Sequence, residues 1–213
     1  MRDATEILVV MDKSGSMSPR QADAIGGLNQ FLKDQQAEPG EANLTLVLFD
    51  TTYNIPFSGK PIKDVPPMTE DTYRPGGSTA LNDALARAII ETGKRLSDMP
   101  EDVRPQKVIC VIITDGEENS SKEHTKEQVQ EMVKHQEEKY DWAFIYLGAN
   151  VDAFHAARQL GIQGAMAMNF VANPIGVRSA YAASSEAVSS YRSSGKEGLA
   201  DKDAKWKTEI KDN

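Results

Sequence analysis

Two short apolar runs set the strongest limit on what this chain can become. Residues 7–11 (ILVVM) and 108–113 (VICVII) are rich in β-branched side chains and show no polar alternation. A strand with one face in water alternates, whereas a strand covered by helices on both faces does not, so each run predicts a central strand of a parallel sheet. Residues 44–49 (LTLVLF) and 143–147 (AFIYL) read as two more strands. The first of these passes through Asp50-Thr51-Thr52 into a further extended piece at 53–57, a hairpin spacing that predicts one antiparallel edge strand. A last strand falls near 165–171.

Helical periodicity fills the intervals. Ser18-Pro19 followed by Gln21 has the pattern of an N-cap, a first-turn proline and a capping-box partner, opening a helix to about Gln36. After Thr79, the residues Leu81, Leu85, Ala88, Ile89, Thr92 and Leu96 recur at three- and four-residue steps and predict a face packed on the sheet. Two further helices are expected over 122–139 and 151–160, the second stopped by Gly161 as a left-handed cap. Asn173-Pro174 opens a final helix in which Val177, Tyr181, Ser184, Val188 and Tyr191 form a mildly apolar stripe, predicting modest docking with the serines in water. The alternation specifies an α/β fold: a doubly wound, mostly parallel six-stranded sheet with one antiparallel edge strand and helices on both faces. Residues 1–191 form one domain on this reading, and 192–213 a charged C-terminal tail anchored by Trp206.

Composition narrows the function. The 213 residues carry 24 Lys and Arg against 32 Asp and Glu, a net charge of −8 that disfavours a protein held by nucleic-acid phosphates. No apolar run approaches the length of a membrane span, and the first residues lack a signal-peptide layout, so a cytoplasmic location is expected. Cys110 is the single cysteine and sits inside the 108–113 run, where it reads as a small buried hydrophobe. His124, His135 and His155 have no metal-ligand spacing and read as surface residues.

Ligands in doubly wound sheets bind outside the carboxyl ends of the strands. There the first central run meets Asp12-Lys13-Ser14-Gly15-Ser16, which offers a small oxygen donor at every second position. The other central run meets Thr114-Asp115-Gly116, and the flexible Gly76-Gly77-Ser78-Thr79 loop delivers a hydroxyl before a helix. Asp12, Ser14, Ser16, Thr79 and Asp115 together offer oxygen alone, with no thiol or imidazole. That donor set suits a hard divalent ion, Mg²⁺ first, with Mn²⁺ or Ca²⁺ as alternatives. Such an ion keeps water positions that a carboxylate from another molecule can take.

These residues resemble, one for one, the metal-ion-dependent adhesion site of von Willebrand factor A domains: DxSxS, then Thr, then Asp. The resemblance runs from the start of the chain to about Tyr191, and LFDTTY, GGSTALNDAL and VIITDGEEN are similar to segments of stand-alone bacterial and phage members. It implies five parallel strands with one antiparallel edge strand, a metal held by the five residues, with Asp115 bound directly or through water, and capture of an acidic residue from a protein partner. An AAA+ ATPase or another component of a cytosolic assembly is the partner class it suggests. It also suggests mobility of the last helix.

Other readings remain beside it. A haloacid-dehalogenase-type phosphatase also starts from an Asp at the end of the first strand, yet needs a second carboxylate two residues on, where this chain has Ser14. A structural subunit with an unused ion is the third reading. Gly76 and Gly77 form either a turn or a close approach. Glu117, Glu118 and Asn119 read as a solvated loop or as a rim that rejects wrong partners. Asn150 and Asp152 read as helix caps. Pro61, Pro66, Pro67 and Met68 read as packing in a connection, with a partner-facing rim as the other reading.

Overall fold

A computed structural model describes residues 2–149, 152–163, 166–171 and 173–200. Its six strands are β1 (Arg2–Asp12), β2 (Glu41–Phe49), β3 (Tyr53–Pro61), β4 (Pro105–Thr114), β5 (Ala143–Ala149) and β6 (Ala167–Phe170). They form one sheet in the order β3-β2-β1-β4-β5-β6. All neighbouring pairs are parallel except β2 with β3, so the expected doubly wound sheet with one antiparallel edge strand is what the chain adopts. The two apolar runs lie at its centre as β1 and β4, paired residue for residue from Ile7 with Ile109 to Met11 with Ile113.

Helices α1 (Gln21–Ala37) and α5 (Pro174–Ala200) cover one face, and α2 (Leu81–Asp98), α3 (Lys126–Tyr140) and α4 (Ala153–Gln159) the other. Period-two alternation sends Ile7, Val9 and Met11 to the first layer and Leu8 and Val10 to the second, which is why β1 shows no polar face. Cys110 lies fully buried in the second layer, and burial pushes its thiol far above the ordinary range. The whole predicted stripe of α2 is buried. No described helix is long and apolar enough to cross a membrane.

Several local expectations change. The Ser18 capping box does not form: Gly15–Arg20 makes a 3-10 turn with Pro19 inside it, and α1 starts only at Gln21 without a side-chain cap. The third helix begins at Lys126 rather than 122, because Thr125 and Gln128 form the capping box while Asp83 holds the preceding backbone. In α4, Asp152 caps the His155 N–H and Gly161 adopts the left-handed conformation at φ +82°, both as read; Asn150, Val151 and Ala165 lie outside the described residues. The tail residues from Asp201 onward, Trp206 included, also lie outside them.

Docking of α5 is far from modest. Ser184 is buried with the stripe as expected, but Ser185 is also buried rather than solvated, and Arg192 and Leu199 are buried beyond residue 191, with a non-helical kink at Gly195. Arg192 donates to the carbonyl of Gln35, one of the orphan carbonyls in the last turn of α1, and to those of Pro39 and Gly40 in the connection that follows. Small residues let the two helices approach closely. A Cβ at Gly27 would lie 2.3 Å from the Tyr181 ring, whereas one at Gly26 would meet nothing within 4 Å.

This pair of glycines yields a matched test. Gly27→Ala is expected to destabilise the protein by about 1–3 kcal/mol through overpacking. Gly26→Ala is expected to stabilise it by about 0.5–1 kcal/mol by removing a flexible mid-helix residue. Urea unfolding of the two variants beside wild type reads both signs.

Candidate metal centre

The site stands at the carboxyl edge of the two central strands, where β1 ends at Asp12 and β4 at Thr114. Asp12 is fully buried. Its Oδ1 accepts the Ser14 backbone N–H at 2.6 Å, which bends the loop back on the strand end as Asx turns do. Its Oδ2 accepts the Thr114 hydroxyl at 2.6 Å across the β1–β4 pair. From below, the buried Tyr73 hydroxyl donates to the Asp12 carbonyl at 2.7 Å.

The other expected donors gather around it. Ser14 Oγ and Ser16 Oγ are 3.0 Å apart, and Ser16 Oγ donates to Asp115 Oδ1 at 2.5 Å. Thr79 arrives from the glycine loop, which is stitched to the Asp12–Ser16 loop by Gly15 N–H to Gly77 O at 3.0 Å and Gly76 N–H to Lys13 O at 2.8 Å. Gly77 has φ +67°, and a Cβ there would meet Thr51 Oγ1 at 2.7 Å, so this glycine is required by both conformation and approach. Gly76 has open space around it and carries no such requirement.

Gly116 marks the centre. A Cβ built on it would lie 3.1 Å from Thr79 Oγ1, 3.7 Å from Ser16 Oγ and 3.9 Å from Asp12 Oδ2. The point is therefore a cradle on the segment after β4, ringed by oxygen from the Asp12–Ser16 loop and from Thr79 and kept clear by the missing side chain. Among the described residues no group of three or more His, Cys, Asp or Glu could hold a metal. Hydroxyls and two carboxylates fit a hard cation.

Charge supports the same fit. Burial pushes the Asp12 carboxyl above the ordinary carboxylate range; hydrogen bonds from Thr114 and Ser14 pull it back, and the Asp115 charge raises it further. A buried carboxylate is costly unless a cation compensates it. Arg20 supplies one positive charge nearby, its Nη1 lying 2.8 Å from Asp115 Oδ2. Lys13, between Asp12 and Ser14, instead turns outward to pair with Asp50, whose carboxyl burial would raise but which the Lys13 and Thr52 bonds hold below its usual range.

Several residues of this shell were not singled out as contributors in the sequence: Arg20, Tyr73, Thr114 as an Asp12 partner, and Gly116 as a spacer. Only Thr114 and Gly116 carried a local signal, by flanking Asp115. The acidic loop proves structural in its contacts. Glu118 accepts the Asn82, Ser120 and Ser121 backbone N–H groups, and Asn119 brackets Thr79 with two bonds of 3.0 Å each. Met68 is buried and bracketed by Asn29, while the three prolines stay exposed. His124 lies beside Asp83, His135 packs edge-on to Tyr140, and His155 contacts Gln159.

The raised Asp12 carboxyl gives a pH test in chelator. Below the ordinary carboxylate range, folded and unfolded chains both hold its proton. As pH rises through the window up to the raised value, the unfolded chain releases it first, so stability falls. Asp12→Asn keeps an acceptor for the Ser14 N–H; it is expected to raise the melting temperature by about 2–4 °C at pH 7 and to leave it unchanged near pH ~3. Thermal scans at the two pH values, with chelator present, check this.

The von Willebrand factor type A domain matches residues 6–174. Solved structures share the fold at low identity. The proximal thread matrix protein 1 of the mussel byssus, with a zinc-occupied MIDAS motif, is 14% identical over 86% of this chain and 47% of its own, with a TM-score of 0.62. The pilus adhesin SpaC of Lactobacillus rhamnosus GG, in an open conformation, is 12% identical over 88% of this chain and 30% of its own, TM-score 0.66. A von Willebrand factor type A protein of Catenulispora acidiphila is 14% identical over 85% and 42%, TM-score 0.54. This chain thus spans less than half the length of each of them. No curated protein sequence matches it. With most of its length inside the domain match and its strand order and edge strand as that fold requires, the chain belongs to the von Willebrand factor type A domain family.

Proposed function

We propose that this chain is a metal-dependent protein-binding module. Asp12, Ser14, Ser16 and Thr79 hold Mg²⁺, or Mn²⁺ or Ca²⁺ in its place, and Asp115 supports the ion directly or through water. The bound ion supplies Lewis acidity toward an Asp or Glu carboxylate of a protein partner. The carrying observation is the oxygen-ringed point beside Gly116, to which the Asp12–Ser16 loop and the Thr79 loop contribute oxygens.

The chain's own residues do the rest. The Asp12 carboxylate sits at the end of a buried central strand and is held through both its oxygens. Thr79 is fixed by Asn119 before α2 begins. Ser16 is the exposed member of the set, at the mouth where a partner arrives. We place the partner in a cytosolic multi-protein assembly, an AAA+ ATPase being one candidate, by analogy with the stand-alone members that the sequence resembles. A phosphatase reading fares worse, because position 14, where that chemistry needs a second carboxylate as general acid, is Ser14.

Calorimetry with Mg²⁺, Mn²⁺, Ca²⁺ and Zn²⁺ tests the site. Wild type is expected to bind one Mg²⁺, and Asp12→Ala to weaken that binding by more than about 100-fold with unchanged circular dichroism. Proteins retained from cell extract by wild type in Mg²⁺, and lost both in chelator and with Asp12→Ala, are the expected partners. Mg²⁺ uptake that is indifferent to Asp12, or capture that survives chelation, would overturn the proposal.

A further inference from the structure

Arg20 closes the 3-10 turn that follows the Asp12–Ser16 loop. Its Nη1 donates to the Ser16 carbonyl at 2.8 Å and to Asp115 Oδ2 at 2.8 Å. The other carboxylate oxygen, Asp115 Oδ1, accepts the Ser16 hydroxyl at 2.5 Å. Both oxygens of the second acid are therefore engaged, and one of them faces a full positive charge brought by the same loop that carries Ser14 and Ser16. An ion pair between two exposed side chains is worth little. Here the Asp115 side chain is 1% exposed and the Arg20 side chain 18%, and the backbone bond to Ser16 fixes the guanidinium, so its geometry is set in advance.

Resting on the metal-site reading above, we propose that Arg20 is a positioning residue that holds Asp115 out of direct contact with the ion, so that one coordination place and a net positive charge remain for the partner's acid. Two aspartates against a divalent ion leave no charge to attract a third carboxylate if both coordinate directly. With Asp115 matched by Arg20, Asp12 alone faces the ion directly, and an incoming carboxylate meets an under-neutralised cation. The same arrangement lowers affinity for the ion itself, because a fixed guanidinium beside the site repels it. Arg20 thus trades ion affinity for partner affinity. Lysine would keep the charge but on a shorter, more flexible stem that fixes its position less well.

Mn²⁺ is the probe, since it reports both affinity and exchangeable water through proton relaxation. Mn²⁺ binding and relaxation enhancement are measured for wild type, Arg20→Gln, Arg20→Lys and the double variant Arg20→Gln with Asp115→Asn. Acetate is then titrated as a stand-in for the partner's carboxylate. Arg20→Gln is expected to tighten Mn²⁺ binding about tenfold, to lower the enhancement as Asp115 replaces a water, and to weaken acetate binding to the loaded site. Arg20→Lys falls between, and the added Asp115→Asn removes the gain. Unchanged or weaker Mn²⁺ binding in Arg20→Gln, with Asp12-dependent binding intact in wild type, overturns the role of Arg20 alone. If wild type takes up no Mn²⁺, or Asp12→Ala takes up as much, the metal-site reading falls and this inference falls with it.

Discussion

A carboxylate without solvent is the constraint around which the rest is arranged. Asp12 ends a strand buried on both faces, so its charge has no route to water, and the surrounding structure meets that cost with oriented donors. Thr114, on the neighbouring central strand, can reach it because β1 and β4 are parallel and in register, with Met11 opposite Ile113. Tyr73 locks the backbone carbonyl beneath it. A parallel sheet covered by helices on both faces thus does two jobs. It makes the buried edge position available, and it aligns the strand ends that answer its charge.

The loops at that edge are held by polar side chains spent on backbone groups. Asp83, in the first turn of α2, accepts three successive N–H groups from Lys122, Glu123 and His124. Burial would raise its carboxyl, but those three bonds hold it below its usual range. Glu118 and Asn119 return the connection by binding Asn82 and Thr79. Reciprocal clamping of this kind fixes the loop after β4 against the start of α2, and with it the relative placement of Thr79 and Asp115. The acids that look most available in the sequence are consequently structural, while the two at the oxygen-ringed point are deeply buried.

On the opposite face, α1 and α5 share a buried cluster of Leu28, Phe31, Tyr181 and Val188, and Gly27 lets them approach closely. Tyr181 lies over Gly27 with its hydroxyl 3.4 Å from Met11 Sδ, one residue before Asp12. Gln35 and Arg192 exchange hydrogen bonds with the partner helix and cap its end. The last helix is therefore packed against the strand that carries the site.

What the sequence determined by itself was everything that depends on local period and residue type. The unbroken apolar runs specified central strands, and the three- and four-residue steps specified the buried face of α2, while Asp12, Ser14, Ser16, Thr79 and Asp115 could be read as an oxygen-only set. Tertiary structure alone decided which distant donors meet. Nothing local to Arg20 announces Asp115, 95 residues away, or distinguishes Glu118 as a clamp from Glu118 as a solvated acid. Nor could an apolar stripe count foresee how closely α5 docks, because close approach depends on which small residues face each other. Periodicity is a property of one segment; charge pairing and steric fit belong to the registers between segments, and those exist only once the sheet has formed.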